Sequence, residues 1–542
     1  MKKSFKYISV LLLVGLGGCT DIIDLNSESN IAADDYYTTF TELQAGLTSC
    51  YKGLQKPLVE EWSLTEMRSD NTLSDTGSST STVNQDFSYL DQFYPPTSHQ
   101  GNYNYWLNTH NNIRNTNIIL AKLGAKYDSA SGTIILDQTI PLIISVKTGT
   151  VDFLSNYKRN LMAAEASFIR AYHYFNLVRL YGGVFLIDEV LTPAEAKTIN
   201  RSSVDDIYKL IIADLNSAIT NGNRATYTTL IASQQDQIGH ANKWAAQALL
   251  AKVYLTLGRK DLAAPLLQSV ISSSGYGLET TYANVFSSNN EMNKEILFAV
   301  RFKSGGVGMG NPLSNLFAPS NSGLAVINGD GKGYNTPTTE LTTTTYGTSD
   351  PSAARKLVNF SSFVGKFYIS KYMSKTALAN DAENDWPVIR YADVLLMKAE
   401  ADGNSPASMG LINQVRVRAG LTGLSTTATD AVFEKALSNE RRWELAFENQ
   451  RWFDLLRYTT TTSTVSLPSD PYPGLKIQGA EYTMKAHFAR LYASVYTKFA
   501  NTLPLTLEQL LENANTNRFL LPIPQYEIDT NSNIVIPQNP SY

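Results

Sequence analysis

The chain has 542 residues, and 45 Lys and Arg against 49 Asp and Glu leave it a net charge of −4. That balance argues against a nucleic-acid ligand, whose phosphates demand a strongly basic face. The length exceeds what one hydrophobic core usually supports, yet no low-complexity linker splits the chain, so one large composite body or two interlocked lobes is expected.

The first predicted element is a signal peptide over residues 1–18. Lys2, Lys3 and Lys6 precede a mostly apolar stretch from Ile8 to Leu16, and the small residues Gly17 and Gly18 stand directly before Cys19. A bilayer span needs about 20 apolar residues, roughly twice this stretch, so the segment is expected to be removed and not kept as an anchor. The run Leu16-Gly17-Gly18-Cys19 is similar to the bacterial lipobox, which makes Cys19 the expected lipidated N-terminus. The chain has only two cysteines, so acylation of Cys19 leaves Cys50 without a disulfide partner. No later stretch reaches transmembrane length without charges, and the membrane is expected to be met through the lipid anchor alone.

Residues 19–33 read as a polar tether carrying Asp21, Asp24 and Glu28, and 34–290 as an N-terminal helical part. Helical periodicity runs from near Asp34 to Tyr51, with Phe40, Leu43 and Leu47 on one face. From Arg68 to Tyr105 the sequence is irregular and rich in Ser, Thr, Asn, Asp and aromatic residues, and an ordered loop of that length usually has a function. Helix is expected again over Trp106–Leu123, a strand at Thr133–Leu136, and a long helix over Leu161–Tyr181 that Gly182 and Gly183 terminate. An offset of 80 residues aligns Ala166 with Ala246, Ala171 with Ala251, Tyr174 with Tyr254 and Leu177 with Leu257, and Ala392–Ala399 repeats the pattern. Alanine at such positions lets a partner helix approach closely, the logic of degenerate tetratricopeptide-like helix pairs. Ala248–Leu257, Gly258 and Asp261–Ser272 form the clearest pair.

The C-terminal part, 291–542, opens with a predicted strand at Ile296–Val300, followed by a second irregular region rich in Gly, Asn, Ser and Thr up to about Ser352. Helices are expected over Arg390–Asp402, Ala407–Ala419 and Ala431–Leu456, and the tail from Pro468 alternates loop and helix.

Three runs here carry a specific signal: the stretch from Arg390 to Ala401, the stretch from Ile412 to Leu421, and the stretch from Glu440 to Arg457. With Arg518–Pro524, Gln538–Tyr542, Ala164–Phe175 and the Arg68-Ser69-Asp70-Asn71 motif, they resemble in order the signatures of the RagB/SusD nutrient-uptake lipoproteins. The resemblance implies a mainly α fold, a SusD-like α/α superhelix of tetratricopeptide-like pairs with long irregular loops, a few short strands and a loop-rich ligand face in the C-terminal part. It implies a surface-exposed outer-membrane lipoprotein that captures an oligosaccharide or polysaccharide and delivers it to a SusC-like TonB-dependent transporter, with no chemistry on the ligand and no cofactor. Peptides or other non-sugar nutrients as ligand, and a purely protein-binding scaffold, remain alternatives.

Glu440, Glu444 and Glu448 recur at four-residue steps beside Arg441 and Arg451. Such carboxylates lie about 5–6 Å apart, near a retaining glycosidase pair, but they project from one helix wall and do not flank a cleft. Ion pairing is the reading, with Trp443, Phe447, Trp452 and Phe453 as core anchors. His99, His110, His173, His240 and His487 have no ligand spacing, so no metal is expected. Gly305–Gly310 lacks the Lys-Ser/Thr of a P-loop and reads as a loop. Sugars need flat apolar faces with amides and carboxylates around them. The first irregular region supplies Asp70, Asn71, Tyr89, Phe93, Tyr94, Asn102, Tyr103 and Trp106, and the second supplies Asn311, Phe317, Asn328, Asp330 and Tyr334, as candidate ligand contacts.

Overall fold

The computed structural model describes residues 37, 39–74, 82–139, 144–147, 150–230, 237–339, 341–342, 353–458, 479–499, 505–531 and 533–542. The expected signal peptide, Cys19 and the tether lie outside them. Leu47–Pro141 and Ser155–Tyr542 form one compact unit; Met1–Gly46 and Leu142–Leu154 form another, whose described part holds the start of helix α1 (Phe40–Lys52) and an antiparallel hairpin, Ile144–Lys147 with Thr150–Phe153.

The large unit is mainly helical. After α1 come α2 (Gln55–Thr65), α3 (Thr82–Asp91), α4 (Gln100–Lys122), α5 (Asn156–Tyr181), α6 (Val204–Asn221), α7 (Lys243–Thr256) and α8 (Lys260–Ser273). The C-terminal part adds α9 (Tyr391–Asp402), α10 (Pro406–Arg418), α11 (Asp430–Glu444) and α12 (Arg451–Arg457). Helices α4 to α10 stack in chain order, each on the next, and α2 packs on α4. Small residues set the close approach: Ala166 and Ala171 in α5, Ala246, Ala248 and Ala251 in α7, and Ala392 and Ala399 in α9 are all fully buried. Nearly every side chain of α5 from Met162 onward is buried, which is why it shows no polar stripe. Between α7 and α8, Gly258 sits at φ +72°, a left-handed turn that glycine makes at no steric cost.

The predicted strand Ile296–Val300 exists and pairs antiparallel with Trp386–Arg390, both wholly buried; Thr133–Leu136 pairs with Ala125–Asp128. Helix α1 begins at Phe40, and the expected start near Asp34 lies outside the described residues. Two expectations are corrected. The first irregular region contains α3, and α4 begins at Gln100, six residues before Trp106, because the His99 ring accepts the Asn102 N–H at 3.0 Å and caps it. The expected single helix Ala431–Leu456 breaks after Glu444, with Phe447 at φ +63° and Asn449 at φ +58° before α12.

That break serves a buried ion lattice. Glu448, turned inward, accepts from Arg390 Nε at 2.7 Å and from Lys371 Nζ at 2.6 Å. Arg390 also donates to Glu295 (2.9 Å) and Glu444 (2.5 Å), Arg418 to Glu295 (2.6 Å) and Glu444, and Arg355 to Glu440 and Glu444. Arg441 and Arg451, expected beside the glutamates, go elsewhere: Arg441 to Asp393 and Asp454, each at 2.8 Å, and Arg451 to Asp70 at 2.7 Å. Burial alone raises a carboxyl pKa, but at Glu444 the guanidiniums of Arg418, Arg390 and Arg355 outweigh it and hold the group at about 2. Glu66 lacks such neighbours, and burial pushes it up to about 8 although the Asn449 N–H donates to it at 2.7 Å.

Arg390→Met removes the cation that Glu295, Glu444 and Glu448 share and leaves the buried lattice with uncompensated negative charge, so urea denaturation should show a loss of about 3–5 kcal/mol; a loss below about 1 kcal/mol contradicts the lattice's role. For Glu66 the folded pKa lies above the unfolded one, so its contribution is complete below the unfolded value and disappears as pH rises through about 8. Glu66→Gln should therefore lose less stability than the natural protein between about pH 5 and pH 8, and parallel pH profiles of the urea midpoint would contradict it.

Candidate functional site

The two irregular regions come together. Thr72–Leu73 pairs antiparallel with Thr336–Pro337, and the Thr338 N–H donates to Asn71 O at 2.9 Å. Beside this junction Trp62 of α2 gathers rings from both regions: Phe87 of α3 at 5.2 Å, Phe317 edge-on at 5.2 Å and Tyr334 stacked at 6.5 Å. Phe87 and Tyr334 meet edge-to-face at 4.6 Å, a favoured aromatic geometry. Trp62 and Phe317 are buried, while Phe87 and Tyr334 are half-buried and form the accessible rim of the cluster.

One turn back along α2, Val59, Lys56 and Gln55 line a cleft of about 520 Å³. Its other walls are the end of α1, a face of α4 and the loop from Phe302 to Pro312. On α4, Asn104, Asn108, Asn111 and Asn115 recur at steps of four, three and four, which puts them on one face. The last three line the cleft, and Asn104 donates to Glu60 at 3.1 Å. The wall formed by the Gly305–Gly310 loop is held by carboxylates: Asp381 accepts the Gly305 and Gly306 N–H groups at 2.7 and 3.0 Å, and Glu383 accepts from Ser304 N at 3.0 Å and Lys303 Nζ at 2.5 Å. A side chain at Gly310 would meet Asp381 at 2.2 Å, which explains glycine there. The motif's amides thus bind the protein's own acids.

The sequence candidates divide sharply. Asp70 is buried and gripped by Arg442 and Arg451, which overcome its burial and hold its carboxyl well below the usual range. Asn71 is buried and accepts from Arg442 at 2.8 Å. Asn102, also buried, donates to Pro522 O at 2.8 Å and accepts from Tyr181 at 2.7 Å. Asn311 donates to Asn384 O at 2.8 Å. Phe93 packs among Trp452, Phe488 and Phe519, and Trp106 among Tyr181, Phe185 and His110. These residues, with Phe317, form the frame beneath the face. Tyr94 is exposed, with Tyr89 at 6.1 Å and the Arg518 guanidinium at 5.4 Å; Tyr103 lies against Tyr526 at 5.1 Å. Asp330 is exposed, 3.6 Å from Lys332, and Asn328 donates to Ala377 O. Only Tyr334 and Phe317 reach the aromatic cluster. Trp62 and Phe87 escaped sequence reading because Trp62 looks like an ordinary core residue of a helix and Phe87 stood in a stretch taken as loop. Among the described residues no group of three or more His, Cys, Asp or Glu could hold a metal ion.

Comparison with known proteins fits this architecture. Residues 281–542 match the family model described as "SusD family", and 23–255 match one described as "Starch-binding associating with outer membrane". A SusD-like protein of Formosa agariphila is 28% identical over 57% of this chain, which spans 65% of that relative's length. A second SusD-like protein of the same organism is 25% identical over the whole of both chains. The solved structure of a laminarin-binding SusD-like protein superposes with a TM-score of 0.68 at 24% identity, over 93% of this chain and 100% of that one. The chain belongs to the SusD/RagB family, as its sequence motifs indicated.

Proposed function

We propose that this protein is a cell-surface glycan-binding lipoprotein, anchored in the outer membrane through Cys19, that captures oligosaccharides and delivers them to a SusC-like TonB-dependent transporter. The observation that carries the binding role is the half-buried Phe87–Tyr334 rim, set on a rigid Trp62–Phe317 floor and flanked by a cleft rich in side-chain amides. Aromatic faces take the C–H side of a sugar ring, and amides orient its hydroxyls. Support comes from the starch-binding description of the N-terminal family model and from the laminarin-binding relative of the same fold. The role is capture without catalysis: Glu440, Glu444 and Glu448, the carboxylate series most like a glycosidase pair, are buried in ion pairs. No described helix is long and apolar enough to cross a membrane, which accords with a lipid tether.

Phe87→Ala with Tyr334→Ala should weaken binding of laminarin oligosaccharides about tenfold or more in isothermal calorimetry, since each lost stacking contact is worth about 1 kcal/mol; equal affinity removes the rim from the site. Cys19→Ala should abolish palmitate labelling in cells and shift the protein from the outer-membrane fraction to the soluble one, and persistent labelling contradicts the anchor.

A further inference from the structure

The amide-lined cleft beside the aromatic rim has a sign of charge that the chain as a whole does not. Among the described residues that line it, Lys52 and Lys56 are the ionisable groups and none is a carboxylate, in a protein of net charge −4. Both lysines are exposed, and neither has an acidic partner among the described residues, although most of the protein's buried cations are paired. The nearest acid along the helix is Glu60, one turn beyond Lys56, and it is turned to Asn104 at 3.1 Å. This positive lining is not a general feature of the surface: the groove along the Ala125–Leu136 hairpin is lined by Asp128, Asp137, Asp188 and Glu189 against Lys126.

The facing wall supplies spare hydrogen bonding. The side chains of Asn111 and Asn115 are exposed and make no hydrogen bond among the described residues. Free ammonium groups opposite free amides form a receptor for a group that is both anionic and hydroxyl-rich. Charge-assisted hydrogen bonds from lysine to carboxylate or sulfate oxygens are about twice as strong as neutral ones, and two nearby cations raise the local concentration of an anionic ligand.

We propose that this cleft is a subsite for a negatively charged sugar, a uronate or a sulfate ester, within the glycan whose uncharged rings lie on the Phe87–Tyr334 rim. The proposal rests on the glycan-binding reading above and assigns the ligand a charge class.

Matched pairs of glycans test it: oligogalacturonate against its methyl ester, and a sulfated galactan oligosaccharide against its desulfated form, with laminarin oligosaccharides as the uncharged reference, all measured by calorimetry on the full mature chain. The charged member of at least one pair should bind more tightly than its neutralised form, with an advantage that shrinks as salt screens the cleft. In Lys52→Ala/Lys56→Ala that advantage should fall about tenfold or more, with the melting temperature unchanged because both side chains are exposed. A preference confined to the uronate or to the sulfated pair names the anion. Equal affinity for both members of each pair, or an advantage that survives in the double variant, overturns the proposal. Binding of laminarin alone overturns it and leaves the glycan reading standing, while failure to bind any glycan overturns both.

Discussion

A carboxylate taken out of water costs several kcal/mol unless cationic donors replace the lost hydration, and this protein concentrates such groups around Arg390. Glu295 ends one strand connection, Arg390 ends the paired strand, Glu444 closes α11, and Glu448 stands in the turn before α12; one guanidinium joins all of them. Partial occupancy of such a lattice is worse than none, because every missing partner leaves a charge stranded in a low-dielectric interior. The arrangement is therefore all-or-none, and it reaches outward to both irregular regions. Asp70, at the root of the first, is held by Arg442 and Arg451. Lys371, just beyond the second, is held by Glu448.

The far end of the chain closes the frame from the other side. Arg68 donates to the carbonyls of Arg518 and Phe519 at 2.8 and 2.9 Å while its guanidinium stacks between Phe93 and Trp452. Asn102 binds Pro522 O, Leu521 N donates to Leu180 O, and Asn539 binds the carbonyls of Tyr181 and Leu521. Several of the stretches that gave the family resemblance are thus bonded to one another, Arg68 to Arg518 and Phe519 and Asn539 to Leu521. Residues hundreds of positions apart satisfy one another's polar groups, so a change in one stretch leaves an orphan in another.

The helices and their pairing were legible because α5, α7 and α9 carry alanine at contact positions and end at glycine or a capped turn. Local propensity could not foresee the break at Phe447: the run from Asp430 to Arg457 is helical by composition, and only the distant partners of Glu448 and Asn449 reward the left-handed turn. The two polar, aromatic stretches do converge, but most polar residues chosen from them are consumed by the frame. An Asp or Asn has the same side chain whether it meets ligand or arginine, and the difference lies in residues such as Arg442 and Arg451, about 370 to 380 positions away.

A side chain whose hydrogen-bonding capacity is already spent cannot recognise a ligand without breaking a buried contact, and the lattice makes each such breakage expensive. The groups with capacity to spare, on which the proposed function and its charged subsite draw, are the half-buried rings of Phe87 and Tyr334 and, among the described residues, the unbonded side-chain amides of Asn111 and Asn115 and the ammonium groups of Lys52 and Lys56, which have no acidic partner. They sit on α1, α2, α3, α4 and the second irregular region, on elements that the frame fixes but whose outward residues it does not use. On the proposed reading, substitution of Lys52, Lys56, Asn111 or Asn115 changes what is bound without removing the partner of a buried group, whereas Phe87 and Tyr334 also pack against the buried Trp62. One rigid fold can therefore serve different ligands through a small outward set of residues, and the family's shared motifs, being internal, carry no information about which ligand it is.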